Sequence, residues 1–236
     1  MKARLRLKIT AQPDDTTCGP ACLHAIYRYF GDDVSLKQVL REVPSLRHGG
    51  TLGVMLANHA LARGYKASIY TYNLMIFDPT WFNSDVDLQE RLRLRKRATR
   101  SKKQRLAIDQ YLEFTQRGGR IHLQDLRRGL LRQFLKREIP ILTGLNSTYL
   151  YRTMRVRGAE MVDDDIRGEV VGHFVVLCGY NQAEHTVTVA DPYSGNPYSH
   201  AHYYEAELDR VACSVLLGVM TYDANLLIIE PKESLA

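Results

Sequence analysis

The chain has 236 residues, of which 45% are hydrophobic and 25% charged, with a formal net charge of +6 at pH 7. That composition supplies a core for one large domain or two small ones and excludes a disordered chain. No run approaches the roughly 18–20 apolar residues of a membrane span, and Met1 to Ile9 alternates charged and apolar residues without the unbroken apolar stretch of a signal peptide. The setting these features imply is the cytoplasm, with reduced thiols.

Residues 4–9 alternate and predict a short strand leading to Gln12. Residues 12–17 form a polar loop, and residues 18–31 read as a buried helix. Ala21, Cys22, Ala25, Ile26 and Tyr29 recur at helical spacing, Pro20 suits the first turn, Thr16 or Thr17 is placed to cap it, and Gly31 ends it. Cys18 therefore falls at a helix N-terminus, where free N–H groups and the positive dipole end favour a thiolate. Gly19 removes bulk beside that sulfur. Gln12, six residues upstream, carries an amide that can fold back and donate to a developing oxyanion.

Ser35-Leu36-Lys37-Gln38 is a capping box opening a short helix that Pro44 closes. Gly49-Gly50-Thr51 is a loop and cap, followed by a helix from Leu52 to Gly64 and a strand over 66–72. Residues 78–120 differ in composition. From Val86 to Gln116 the chain lacks Gly and Pro and predicts helix, with Leu88, Leu92, Leu106, Tyr111 and Leu112 as a partly buried stripe and a polar bend near Thr99–Ser101. Nine cations between Arg91 and Arg105 surround that stripe. They make either a solvated face or a docking surface for an acidic peptide or protein; no nucleic-acid motif accompanies them.

Residues 122–138 read as an amphipathic helix, 139–143 as a strand and 146–157 as irregular or β. Asp163-Asp164-Asp165 is an acidic turn of solvated carboxylates. Strands follow over 170–180, 186–190 and 226–230, with a hairpin loop at 181–185 and helical character over 203–213. Strands late and helices early indicate α+β segregation. The four cysteines, at 18, 22, 178 and 213, lack paired CxxC spacing; Cys22 and Cys178 read as core. His24, His48 and His59 read as surface or packing histidines.

Gln12, Cys18-Gly19 and the helix after them resemble the first motif of the C39 family of papain-like cysteine peptidases. The later part of that signature is a His opening an apolar strand and an Asp before Pro at the end of the next. Gly172-His173-Phe174-Val175-Val176-Leu177 and Val187-Thr188-Val189-Ala190-Asp191-Pro192 supply both, in that order. The resemblance implies a papain-like α+β fold, its N-terminal nucleophile helix packed on a C-terminal antiparallel sheet. It implies one domain over 1–236, with a basic helical insertion at 78–120.

It further implies that Cys18 is the nucleophile, His173 the base and later the acid, Asp191 the group that orients His173, and Gln12 an oxyanion donor beside the Cys18 N–H. His185 is an alternative base, and His200 and His202 are candidates to line the cleft. No cofactor or metal is called for. Many relatives are parts of peptide-exporting transporters that cut after a double glycine, but this chain has neither a membrane region nor a GxxxxGK[ST] loop. The reaction expected is hydrolysis of a peptide or other amide through a thioester. The alternatives are acyl transfer through the same thioester, and a non-catalytic module that binds peptides.

Overall fold

The computed structural model describes residues 2–47, 49–83, 85–158, 160–199 and 201–232. His48 and His200 lie outside the described residues. In chain order the elements are β1 (Lys2–Arg4), α1 (Cys18–Tyr29), α2 (Leu36–Glu42), α3 (Gly53–Ala62), β2 (Lys66–Thr71), α4 (Leu88–Ala98), α5 (Lys102–Gln116), β3 (Arg120–His122) and α6 (Arg128–Lys136). There follow β4 (Ile141–Asn146), α7 (Ser147–Tyr151), β5 (Val156–Arg157), β6 (Val162–Asp163), β7 (Gly172–Asn181), β8 (Thr186–Ala190), β9 (Tyr203–Glu207), α8 (Leu208–Leu217) and β10 (Asn225–Glu230).

Among the described residues one eight-stranded sheet runs β3-β2-β10-β4-β7-β8-β9, with β1 also on β7. All pairs are antiparallel except β2 with β3. β7 is the spine: β4 pairs with Gly172–Leu177, and β1 continues the same side over Gly179–Asn181. Every residue from His173 to Asn181 is buried. Because successive side chains point to opposite faces, that burial needs cover on both sides of the strand, which explains the unbroken apolar run. α1, buried from Cys18 to Tyr27, packs against β7. α1 and the mostly antiparallel sheet thus meet along β7.

Several local expectations need correction. The first strand ends at Arg4, although Leu5 N–H still donates to the Cys178 carbonyl oxygen. The helix expected from His122 starts only at Arg128. Residues 120–122 instead join β2 in parallel, and His122 stacks on Tyr70 with ring centroids 4.8 Å apart. Residues 203–207 are strand, not helix. They alternate in burial and pair with β8 before α8 begins, a period-two signal that their tyrosines and glutamates carry. Residues 147–151 form a short helix capped by Asn146. The sheet also recruits β2 and β4 from earlier in the chain, so helices and strands are less segregated than expected.

Residues 88–116 fold as the α4–α5 pair with its break at Thr99–Ser101, and α5 packs on α3. Leu92 and Tyr111 are buried, but Leu106 is exposed and Ala107, Ile108 and Phe114 complete the buried face.

Candidate active site

Cys18 begins α1, and its helix has no side-chain cap. The expected threonine cap is absent because the preceding loop uses those hydroxyls itself. Thr17 Oγ1 donates to the Asp14 carbonyl oxygen at 3.1 Å, and Thr16 donates through its N–H and its hydroxyl to Asp14 Oδ1 at 2.8 and 2.7 Å. These bonds hold Asp14 below the usual carboxylate range. The helix N-terminus is therefore left to act on whatever sits at Cys18.

Gly19 does what its lack of a side chain suggested, against specific neighbours. A Cβ there would lie 2.7 Å from Thr51 Cγ2, 3.1 Å from Leu56 and 3.2 Å from Phe174. Glycine thus lets α1 seat against β7 and α3 close to the sulfur. One turn on, the Cys22 thiol donates to the Phe174 carbonyl oxygen at 3.2 Å, and burial pushes its pKa well up. Cys22 is core, as expected. Cys178 is buried too, its thiol pushed up to about 12 by burial, whereas Cys213 is exposed.

His173 opens β7, and Asp191 follows β8. His173 Nε2 lies 2.8 Å from Asp191 Oδ1, and Cys18 lies near enough to the same ring to favour its charged form. Burial opposes the imidazolium, but the Asp191 charge, its hydrogen bond and Cys18 together raise His173 to about 10. Asp191 is fully buried, yet lies below its ordinary value. Burial raises it, while the His173 charge and hydrogen bond, the Tyr151 hydroxyl and the Tyr193 N–H overcome that effect. The rings of Tyr151 and Tyr193 each lie 6.2 Å from the His173 ring, centroid to centroid, and enclose it.

Gln12 is held beside this group by its backbone, which donates to the Pro192 carbonyl oxygen at 2.9 Å. Ile9 N–H bonds to the Tyr203 hydroxyl at 2.8 Å, which fastens the segment before Gln12. Gln12 Nε2 donates to the Asp14 carbonyl oxygen at 2.8 Å, leaving its second N–H for a ligand. Its Oε1 is buried without a partner among the described residues. Gln12 lines a lobe of about 270 Å³ with His173, Tyr151, Met154, Met161 and Tyr193. Cys18 lines a wider lobe of about 790 Å³, which also borders His173, and whose walls include Gly49, Gly50, Lys103 and Asp223. Gln12, Cys18 and His173 thus line two adjoining lobes that share His173, and the buried Asp191 sits behind His173.

His185 does not join them. It sits in the β7–β8 turn beside Arg128. His202 contacts the site through the backbone, with Nδ1 2.8 Å from the Asp191 carbonyl oxygen. His59 is a packing histidine, between the Tyr27 hydroxyl at 2.7 Å and Glu42 at 3.0 Å. Sequence reasoning missed Tyr151 and Tyr204, whose hydroxyls both reach Asp191 Oδ2. It also missed Asp223, which accepts from Gly53 N–H at 2.7 Å and so caps α3, a place assigned to Thr51. No local pattern announces either contact, since the partners are 40 residues apart for Tyr151 and 170 for Asp223.

Residues 6–84 match the family model described as the Peptidase C39 family. None of the curated proteins compared matches the chain. Among solved structures, one described as a C39-like peptidase from Bacillus anthracis superposes with a TM-score of 0.53, at 14% identity, covering 98% of each chain. That likeness supports the fold. Two looser superpositions are with the cysteine protease xylellain from Xylella fastidiosa and with a double glycine motif protease from an AMS/PCAT transporter in complex with its leader peptide. The first has a TM-score of 0.45 and 10% identity, covering 98% of this chain and 86% of that one. The second has a TM-score of 0.46 and 15% identity, covering 98% and 95%.

Proposed function

We propose that this chain, C39-like over residues 6–84 and papain-like in fold, is a cysteine peptidase that cleaves a peptide through a Cys18–His173–Asp191 triad. The observation that carries this reading is the His173 ring, held by Asp191 at 2.8 Å on Nε2 and lining the same lobe of the cleft as Cys18. With Nε2 committed to Asp191, Nδ1 is the nitrogen left for the sulfur. The ion pair puts the thiolate at the helix N-terminus.

The thiolate attacks the scissile carbonyl carbon. The oxyanion takes hydrogen bonds from the Cys18 N–H and the second Gln12 N–H. His173 gives its proton to the leaving amine, and a thioester remains on Cys18. His173 then takes a proton from water, which attacks the thioester, frees the acid and restores the thiolate.

We read residues 1–236 as one such domain, with 78–120 as a basic insertion that suits a peptide carrying an acidic segment. A working thiol supports a reducing compartment such as the cytoplasm. Among the described residues no helix is long and apolar enough to cross a membrane.

The test is intact-mass analysis of peptide mixtures incubated with the protein, with and without an added amine. Fragments gaining water support hydrolysis, and amine adducts indicate acyl transfer through the same thioester. Products that persist in Cys18→Ala, or no product with any peptide, count against the proposal.

A further inference from the structure

We propose that Tyr151 and Tyr204 are positioning residues for this triad, holding the far oxygen of Asp191 so that the carboxylate stays ionised and aimed at His173. The inference rests on the triad reading above. Tyr151 Oη donates to Asp191 Oδ2 at 2.6 Å and Tyr204 Oη to the same oxygen at 2.8 Å. Oδ1 accepts from His173 Nε2 at 2.8 Å and from the Tyr193 N–H at 2.9 Å. Four donors, from α7, β9, β7 and the loop after β8, therefore match the roughly four acceptor positions of a carboxylate.

The need for them follows from burial. Asp191 has no exposed surface, so no solvent completes its shell. A buried anionic oxygen without donors is costly, and donors to a charged group are the strong kind of hydrogen bond. Burial and the Asp191 charge push both phenols far above their ordinary value, so they remain donors throughout the working range.

The other groups facing Asp191 do not substitute for the hydroxyls. Cys22 gives its proton to the Phe174 carbonyl oxygen. His202 reaches only the Asp191 backbone oxygen. The Tyr198 ring lies 4.8 Å from that of Tyr204, but its hydroxyl is shared between the Leu150 carbonyl oxygen and Arg210. Without Tyr151 and Tyr204, Oδ2 is left bare. Asp191 then takes up a proton at a higher pH, and a neutral Asp191 no longer supports the His173 imidazolium.

The test uses the full chain carrying Cys213→Ser, which removes the exposed thiol, with Tyr151→Phe, Tyr204→Phe and the pair. Alkylation of Cys18 by iodoacetamide is followed by mass against pH, which needs no substrate. In the parent the rate should rise along an acid limb set by ion-pair formation. Each Phe should move that limb to higher pH by about one unit, from the strength of a hydrogen bond to a charged group. On a cleaved peptide, kcat should fall while KM holds.

An unshifted acid limb in Tyr151→Phe overturns the inference, even if the melting temperature drops, because a merely structural role moves stability alone. Tyr151 is only partly buried, so this variant carries the test if Tyr204→Phe does not fold. A parent whose Cys18 has an ordinary thiol profile overturns the triad reading itself, and this inference with it.

Discussion

His173 and Asp191 are 18 residues apart in the chain and are diagonal neighbours across one hairpin. Val176 pairs with Ala190 in the β7–β8 ladder, so the register carried one step on sets Asp191 opposite Val175. His173 lies two residues before Val175 and so on the same face, within diagonal reach. The register shifts between Leu177 and Gly179, an irregularity on which this alignment depends. A one-residue slip would carry Asp191 to the opposite face.

The thiols should separate in reactivity by environment. At neutral pH, Cys18 should be alkylated fast, through its pairing with His173, whereas Cys22 and Cys178 should stay unmodified in the native protein. Cys213 is exposed and should label more slowly than Cys18. Peptide mapping after brief iodoacetamide treatment reads this directly. His173→Ala should slow Cys18 to the rate of Cys213, and an unchanged Cys18 rate there would remove His173 from the site.

Gln12→Ala should lower turnover by about 100-fold, the usual cost of losing one oxyanion donor. Alkylation of Cys18 should change little, since no oxyanion forms in that reaction. The variant should fold, because the Gln12 backbone, not its side chain, makes the bond to Pro192. Full turnover in Gln12→Ala would leave the Cys18 N–H as the donor and exclude Gln12.

Asp223 should make stability depend on pH. Burial pushes it up to about 7, against the opposing effects of the Gly53 N–H, Lys103 and Asn225. Its folded value exceeds its unfolded one, so its contribution is complete below about pH 4 and is lost as pH rises through about 7. Asp223→Asn keeps an acceptor for Gly53 and removes the titration. Urea unfolding at pH 5 and pH 8 should show the variant gaining on the parent as pH rises, by up to roughly 2–3 kcal/mol. Parallel stability curves for the two proteins would contradict this.

The basic α4–α5 pair should act on binding and not on chemistry. Arg93, Lys96, Arg97 and Arg105 line one groove on α4 and α5. Several are already engaged: Lys96 pairs with Asp109 at 2.5 Å, Arg93 with Glu90 at 3.5 Å, and Arg105 donates to the Thr99 carbonyl oxygen at 2.8 Å. Exposed pairs contribute roughly 0–1 kcal/mol each, so an acidic partner needs several cations at once. Replacing Arg95, Lys96 and Arg97 with Gln should raise KM severalfold for an acidic peptide at low salt. It should leave neutral peptides and Cys18 alkylation unchanged, and the difference should vanish near 1 M salt, where the Debye length is about 3 Å. Equal KM for both peptides at low salt would make the α4–α5 pair a solvated face.

The amino-acid sequence by itself determined the parts of this protein whose signals are local. α1 follows from helical periodicity with Pro20 and Gly31 at its ends, and α2 from its capping box, in which the Ser35 side chain accepts from the Gln38 N–H. The apolar run of β7 and the turn at Asp191-Pro192 were equally legible. So Cys18 at a helix start, His173 at a strand start and Asp191 at a strand end were readable as candidates. The tertiary structure decided what those side chains meet. It brought Tyr151 and Tyr204 to Asp191, placed Asp223 where Thr51 was expected to cap α3, and drew residues 120–122 and 203–207 into the sheet. The physical reason is range: periodicity and capping act within a few residues, whereas sheet pairing and the satisfaction of a buried charge join residues that only the packed chain sets side by side.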